Sequence, residues 1–204
     1  MPIPEFVADL RAKIGPEHPL WLAGATAVII RPRAGSDAPP FEGSRTPAES
    51  VRAGETLPAG ETVPAGEEVL LVRRSDNGVW SPVTGIVDPG EHPATAAVRE
   101  SLEEAMVEVR VHRLVRLSVS PKIVHATGDR AQYCDLVFRC TWVSGEAAVG
   151  DDESVDVAWF PVDALPDMPE HLASRVAVAV ADRPECELLV DGVALPIVAP
   201  NGTS

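Results

Sequence analysis

Basic residues are scarce in this chain: 17 Lys and Arg stand against 31 Asp and Glu, a formal net charge of −14 over 204 residues. So little positive charge displaces few counterions from a phosphate backbone, which argues against a nucleic-acid polymer as partner; a small anion can still bind through cations. Long apolar runs are lacking too. No stretch approaches the roughly 18 apolar residues that cross a bilayer, and "MPIPEFVADLRAKIG" lacks a basic leader, so a cytoplasmic protein without membrane contact is expected. Cysteines are few and odd in number. Cys134, Cys140 and Cys186 show no CxxC spacing, which suggests neither a disulfide framework nor a zinc ribbon. The first two sit six residues apart on one expected strand, roughly 20 Å at about 3.3 Å per residue, too far to bond. All three are expected to be buried small apolar residues. Neither a G-x-S-x-G elbow nor a GxxxxGK[ST] loop occurs, so serine hydrolase and P-loop nucleotidase readings lose their main support.

What is present suffices for one sizeable core, with 45% hydrophobic residues. Residues 3–14 read as a short helix packing through Phe6, Leu10 and Ile14. "LAGATAVIIRPR" (22–33) and "EEVLLVRRS" (67–75) are rich in aliphatic and β-branched residues and read as strands. Between them, residues 34–66 carry Pro39-Pro40 and an echo, "AGETLP", "AGETVP", "AGEEVL", too short to stack as a repeat; a flexible insertion is expected. After the Asn77-Gly78 turn signal comes "VWSPVTGIVD", then a helix from Pro93 to Ala105. Strand patterns follow at 107–120, 131–143 and 154–162, with loops at 121–130 and 144–153. A helix over 169–181 and a hairpin around Asp191-Gly192 close the chain. The fold class is α/β or mixed α+β. The expected layout is an N-terminal helical extension (1–20), a core domain (21–166) and a C-terminal extension (167–204).

The helix in "GIVDPGEHPATAAVRESLEEAM" carries Glu100, Glu103 and Glu104. At roughly 100° per residue the three acids share one face with Ala96 and Ala97. Ala94, Val98, Leu102 and Ala105 gather on the other side, which predicts that this apolar back packs on a sheet while the acids face a cleft. Glutamates spaced i, i+3 and i+4 repel, and a divalent cation would relieve them; Mg²⁺ accepts a few carboxylates and shares its other positions with water and phosphate. On helix geometry alone, a solvated acidic face is the simpler account.

The flanking residues change that balance. Gly85, Glu91, Arg99-Glu100 and Glu103-Glu104 carry a spacing that resembles the Nudix box, G-x5-E-x7-R-E-U-x-E-E-x-G-U, with U a large aliphatic. "AWFPVDALP" (158–166) also resembles the strand and turn that often close that fold. Two positions of the box, which spans 85–107, depart: Ser101 replaces an aliphatic and Met106 the last glycine. By the wheel Ser101 lies at the margin of the buried face, with Leu102 supplying the apolar contact. Without glycine at 106 a left-handed helix end costs roughly 1 kcal/mol, so a different ending is expected.

The resemblance implies an α/β/α sandwich with a mixed central sheet. It also implies a pyrophosphohydrolase that uses Mg²⁺, with Mn²⁺ a substitute, on a nucleoside diphosphate derivative or a nucleoside triphosphate. By the same resemblance Glu100, Glu103 and Glu104 bind metal, Gly85 lets the loop approach it with the Thr84 carbonyl a candidate ligand, and Glu91 and Arg99 pair structurally. A base some six residues before Trp159 would be Glu153, with Asp151, Asp152 and Glu103 as alternatives. A homodimer is compatible with the family. Outside the box, one of Arg73 and Arg74 points inward by alternation and could meet a phosphate, with Arg74 the candidate, and Trp80 or Tyr133 could stack on a base. His125 could touch substrate. The competing reading is a Nudix-like module that senses a nucleotide without cleaving it.

Overall fold

The computed structural model describes residues 4–33, 66–125, 128–190 and 193–195. Expectations for residues 34–65 of the insertion and for the Asp191-Gly192 turn lie outside the described residues. Helix α1 (Glu5–Ile14) leads into strand β1 (Leu20–Pro32); β2 (Glu67–Arg74), β3 (Trp80–Ser81) and β4 (Val83–Ile86) follow, then α2 (Pro93–Ala105). Next come β5 (Glu108–Val119), β6 (Ile123–Val124), β7 (Arg130–Ser144), β8 (Ser154–Pro161), α3 (Glu170–Ala181), β9 (Glu187–Val190) and β10 (Val193–Ala194). The expected loop 121–130 therefore contains a short strand.

Among the described residues the strands form one mixed sheet in the order β10-β9-β5-β7-β1-β2-β3, with β4 on β1, β6 on β7 and β8 on β2. β1 is its spine. It runs parallel to β7 on one side; on the other, its first half pairs antiparallel with β4 and its second half with β2. Residues Ala25 to Ile30 are all buried, as expected of a strand covered on both faces. Alternation splits them. Ala25, Ala27 and Ile29 pack with Ala96, Ala97 and Phe138 beneath α2, while Val28 and Ile30 pack with Val176, Ala179 and Val180 beneath α3. The result is the α/β/α sandwich with a mixed sheet.

Two expectations of packing are corrected. In α1 the buried seam is Val7, with Phe6 beside it against Leu20, Leu22 and Ala131, whereas Leu10 and Ile14 are exposed. Pro4 caps the helix, so it starts late and presents its first turn to the sheet. Cys140 is buried, but Cys134 and Cys186 are only half-buried; all three are free thiols.

Candidate active site

The strand–loop–helix segment is fixed by a few local devices. Asn77 Oδ1 accepts from Val79 N–H and Gly78 takes φ +70°, closing the turn after β2. In the 87–92 loop Gly90 adopts φ +86°, and His92 Nδ1 accepts from Ala94 N–H at 3.1 Å, capping α2 just before Pro93. α2 then ends in a way the sequence did not suggest. Met106 itself takes the left-handed conformation (φ 58°, ψ 28°), its N–H bonding to Leu102 and that of Val107 to Ser101. The missing glycine therefore leaves the ending unchanged, at the cost of a strained methionine.

α2 is turned from the prediction: Ala105 and Ala94 pack toward the sheet as expected, but Val98 and Leu102 do not, and two of the acids do. Its buried residues are Ala96, Ala97, Glu100, Ser101, Glu104 and Ala105, while Val98 is exposed and Leu102 is 51% exposed. Ser101 is fully buried rather than marginal, and its hydroxyl donates back to Ala97 O at 2.6 Å. Two of the three glutamates thus face the sheet. Glu100 is 9% exposed and Glu104 3%. Glu103 projects outward.

The sheet leaves room for them at one residue. Gly85 faces α2 across from Ala25, and a Cβ placed there would fall 1.8 Å from Glu100 Oε1. Arg99 organises the rest. Its Nε and Nη2 grip Glu91 as a fork at 3.0 Å each, and Nη2 also reaches Ile86 O; Nη1 donates to Glu100 at 2.8 Å and Glu103 at 2.9 Å. Its charge and hydrogen bonds hold the Glu91 carboxyl below its usual range. One guanidinium so ties the loop, the buried acid and the exposed acid together.

Glu104 has no such partner. Its Oε1 is buried without a hydrogen bond among the described residues. Burial, then the charges of Glu100, Glu153 and Asp151, push its carboxyl up to about 8. Burial also raises Glu100, to about 7, against the pull of Arg99. Glu153 is raised as well, by burial and by Asp151. Arg74, held mainly by a hydrogen bond to Asp76, lies within electrostatic reach of both Glu104 and Glu153. Arg73 turns outward to Gly78 O.

The loop after β7 brings Glu153 here. Ala148 and Gly150 donate their N–H groups to the last carbonyls of α2, Ala105 O and Glu104 O. Gly145, at φ +94°, has Met106 O 2.5 Å from where a Cβ would be, and Gly150 has Glu103 O at 2.0 Å. These two glycines were missed, because single glycines in a polar loop carry no specific signal. Also missed was a polar cluster behind β4: Thr84 touches Thr26 at 3.2 Å, Thr26 donates to Asp135, and Asp135 pairs with Arg175 of α3 at 2.8 Å. It is assembled from four elements, so no spacing announces it.

Other sequence candidates lie elsewhere. Tyr133 packs with Phe6, Leu20 and Leu22 under α1, its hydroxyl 3.3 Å from His125 Nε2. Trp80 meets Phe160 edge-on at 4.9 Å in the α3-side core.

The donor chemistry fits a hard cation: buried carboxylates, one orphaned oxygen and a glycine that lets backbone approach. Among the described residues no three carboxylate, imidazole or thiol groups already converge as a cage, and Glu100 and Glu103 meet on Arg99.

A family model, the NUDIX domain, matches residues 62–180, more than half of the chain. The NAD-capped RNA hydrolase NudC of Pseudomonas aeruginosa is 38% identical over 104 residues, which is 50% of this chain and 34% of that protein. A MutT-like protein of Streptomyces ambofaciens is 32% identical over 114 residues, 56% of this chain and 66% of that one. The chain thus spans only about a third of the NudC relative's length. Among solved structures, UDP-X diphosphatase superposes with a TM-score of 0.53 at 18% identity, covering 93% of this chain and 76% of that one, a likeness of fold. The chain belongs to the NUDIX domain family, the Nudix hydrolases.

Proposed function

We propose that this chain is a divalent-metal-dependent pyrophosphohydrolase that cleaves the diphosphate linkage of a nucleoside diphosphate derivative or nucleoside triphosphate. The observation that carries the reading is the buried, unpartnered Glu104 oxygen beside Glu100 over Gly85. Carboxylates buried at this cost and left unpaired are expected where a cation completes them. Glu100, Glu103 and Glu104 would hold Mg²⁺ or Mn²⁺, with the Thr84 carbonyl as a further donor; Glu100 and Glu103 then exchange Arg99 for the metal while Glu91 keeps it. When bound, the cation supplies Lewis acidity toward the diphosphate oxygens.

The chain's own groups do the rest. Water attacks one phosphorus, a P–O bond to the bridging oxygen breaks, and a carboxylate accepts the proton. Glu153 and Glu103 are the two candidates for that base, and burial beside Asp151 raises the Glu153 carboxyl above its usual range. Arg74, within electrostatic reach of Glu104 and Glu153, offers positive charge to the phosphates. Tyr133, packed under α1, is a weaker substrate contact. A small nucleotide fits the −14 charge better than a polymer. Because the NudC relative is an NAD-capped RNA hydrolase, NAD-capped RNA belongs on the panel to be tested.

The test is phosphate or nucleotide release from that panel, with Mg²⁺, with Mn²⁺ and with EDTA, alongside Glu104→Gln. Turnover should need metal and fall at least ~100-fold in the variant. Turnover unaffected by EDTA or by the substitution would refute the assignment. Tight nucleotide binding without any turnover would favour the sensor reading.

A further inference from the structure

Among the described residues four buried side-chain atoms lack a hydrogen-bond partner: Glu67 Oε2, Glu104 Oε1, Arg113 Nη1 and Ser154 Oγ. Glu67 and Arg113 are anchored through their other atoms, to Arg139 and Asp182 respectively. Glu104 and Ser154 have no such anchor. Ser154 is 4% exposed, and the other buried hydroxyls, of Thr26, Ser81 and Ser101, bond to Asp135, Pro82 O and Ala97 O. A hydroxyl rotates toward any acceptor in reach, so one left unmatched at this depth points to a partner that arrives from outside.

Strand pairing sets where that hydroxyl stands. Leu70 and Val72 of β2, with Val157 and Trp159 of β8, pack beneath α2. Alternation carried on along β2 brings Arg74 to the same face, and Arg74 pairs with Ser154. Carried on along β8 it would bring Val155 there instead. A bulge intervenes: Arg73 pairs with Asp156 and Arg74 with Ser154, so β8 runs one residue longer than β2. The shift leaves Val155 exposed and sets Ser154 on the α2 face beside Arg74. The residue before it is pinned twice, since Glu153 O accepts from Ser75 N–H at 2.8 Å and Glu153 N–H donates to Asp151 Oδ1 at 2.9 Å. Arg74, Glu104 and Glu153 lie within electrostatic reach of one another. The unmatched hydroxyl therefore belongs to the same corner of the molecule as the unmatched carboxylate.

We propose, resting on the pyrophosphohydrolase reading above, that Ser154 binds substrate by donating its hydroxyl to a phosphate oxygen of the diphosphate, next to the Arg74 guanidinium. Glu104 lacks a cation and Ser154 an acceptor, and neither satisfies the other. A diphosphate entering with its divalent cation supplies both. Ionised phosphate oxygens only accept hydrogen bonds, so a hydroxyl and a guanidinium suit them where a further carboxylate would repel. A neutral donor of this kind holds substrate and transition state alike, and its loss raises KM rather than lowering kcat.

Calorimetric titration of the full chain with methylenediphosphonate, a non-hydrolysable diphosphate, tests this in Mg²⁺ and in EDTA. Wild type should bind only with Mg²⁺. Ser154→Ala and, at nearly unchanged volume, Ser154→Cys, whose thiol is a poor donor, should each bind at least ~10-fold more weakly. Their melts in EDTA should stay at or above that of wild type, because no internal hydrogen bond is lost. With a substrate from the panel, KM should rise by a similar factor while kcat stays within about threefold. Wild-type affinity in both variants, or melts that drop in step with affinity, would overturn the role of Ser154 and leave the pyrophosphohydrolase reading standing. Wild type that binds no diphosphate, or binds it equally in EDTA, would overturn that reading and this contact with it.

Discussion

Beneath α3, Asp135 meets Arg175 at 2.8 Å and Arg139 is held by Ala179 O at 2.6 Å, with Glu67 and Asp182 nearby. Beneath α2, on the other face of the same sheet, Glu100 shares one guanidinium with two other acids, and a buried oxygen of Glu104 has no hydrogen-bond partner among the described residues. Both faces pay the desolvation of charge; the α3 face recovers it by pairing, and the α2 face does not. A paired buried charge fixes packing. An unpaired one is retained at the expense of stability, and such sites are where function is to be sought.

Substitutions can break that comparison from either side. The largest effect is expected at Gly85→Ala, because its Cβ would displace the Glu100 carboxyl; turnover of the active protein should fall at least ~100-fold. Stability, read from chemical denaturation, should move by only about 1 kcal/mol, since the expelled carboxylate regains water. Asp135→Ala should do the reverse. It leaves the half-buried Arg175 without its anion and should cost about 2 kcal/mol in the same denaturation experiment, with any surviving folded protein still binding metal. A third effect concerns pH. Glu100 and Glu104 sit near 7 and 8 against an ordinary 4.5, so the metal-free fold holds protons that the unfolded chain has released. Its Tm should therefore fall as pH rises from about 5 to above 8, and Mg²⁺ should restore most of the loss. The smallest effect is at Met106→Gly. Relief of the left-handed strain should raise stability by up to about 1 kcal/mol, offset by the greater freedom of glycine in the unfolded chain.

The same contrast explains what the sequence made legible. The mixed sheet, the helix from Pro93 to Ala105 and the spacing of Gly85, Glu91, Arg99 and the glutamates could all be read, because each is local and carried by turn residues, periodicity or fixed intervals. The orientation of α2 could not. A wheel assigns aliphatics to the core and acids to water, and it fails where the site buries Glu100 and Glu104 and leaves Leu102 in solvent. Met106 misled for a related reason: a different helix end was expected without a glycine, yet the methionine adopts the left-handed conformation itself, with Gly145 and Gly150 lying close against it. Pairs such as Asp135–Arg175 join β7 to α3 across 40 residues and leave no trace in any local window.

The most direct measurement is thermal unfolding of wild type and Glu104→Gln at pH 8.5, each in EDTA and in excess Mg²⁺. If the glutamate face is kept unpaired for a cation, the variant is the more stable protein in EDTA, by on the order of 2 kcal/mol. Mg²⁺ should then stabilise the wild type strongly and the variant little. A variant less stable than wild type in EDTA, or equal stabilisation of both by Mg²⁺, would show that Glu104 is an ordinary structural residue and contradict the account.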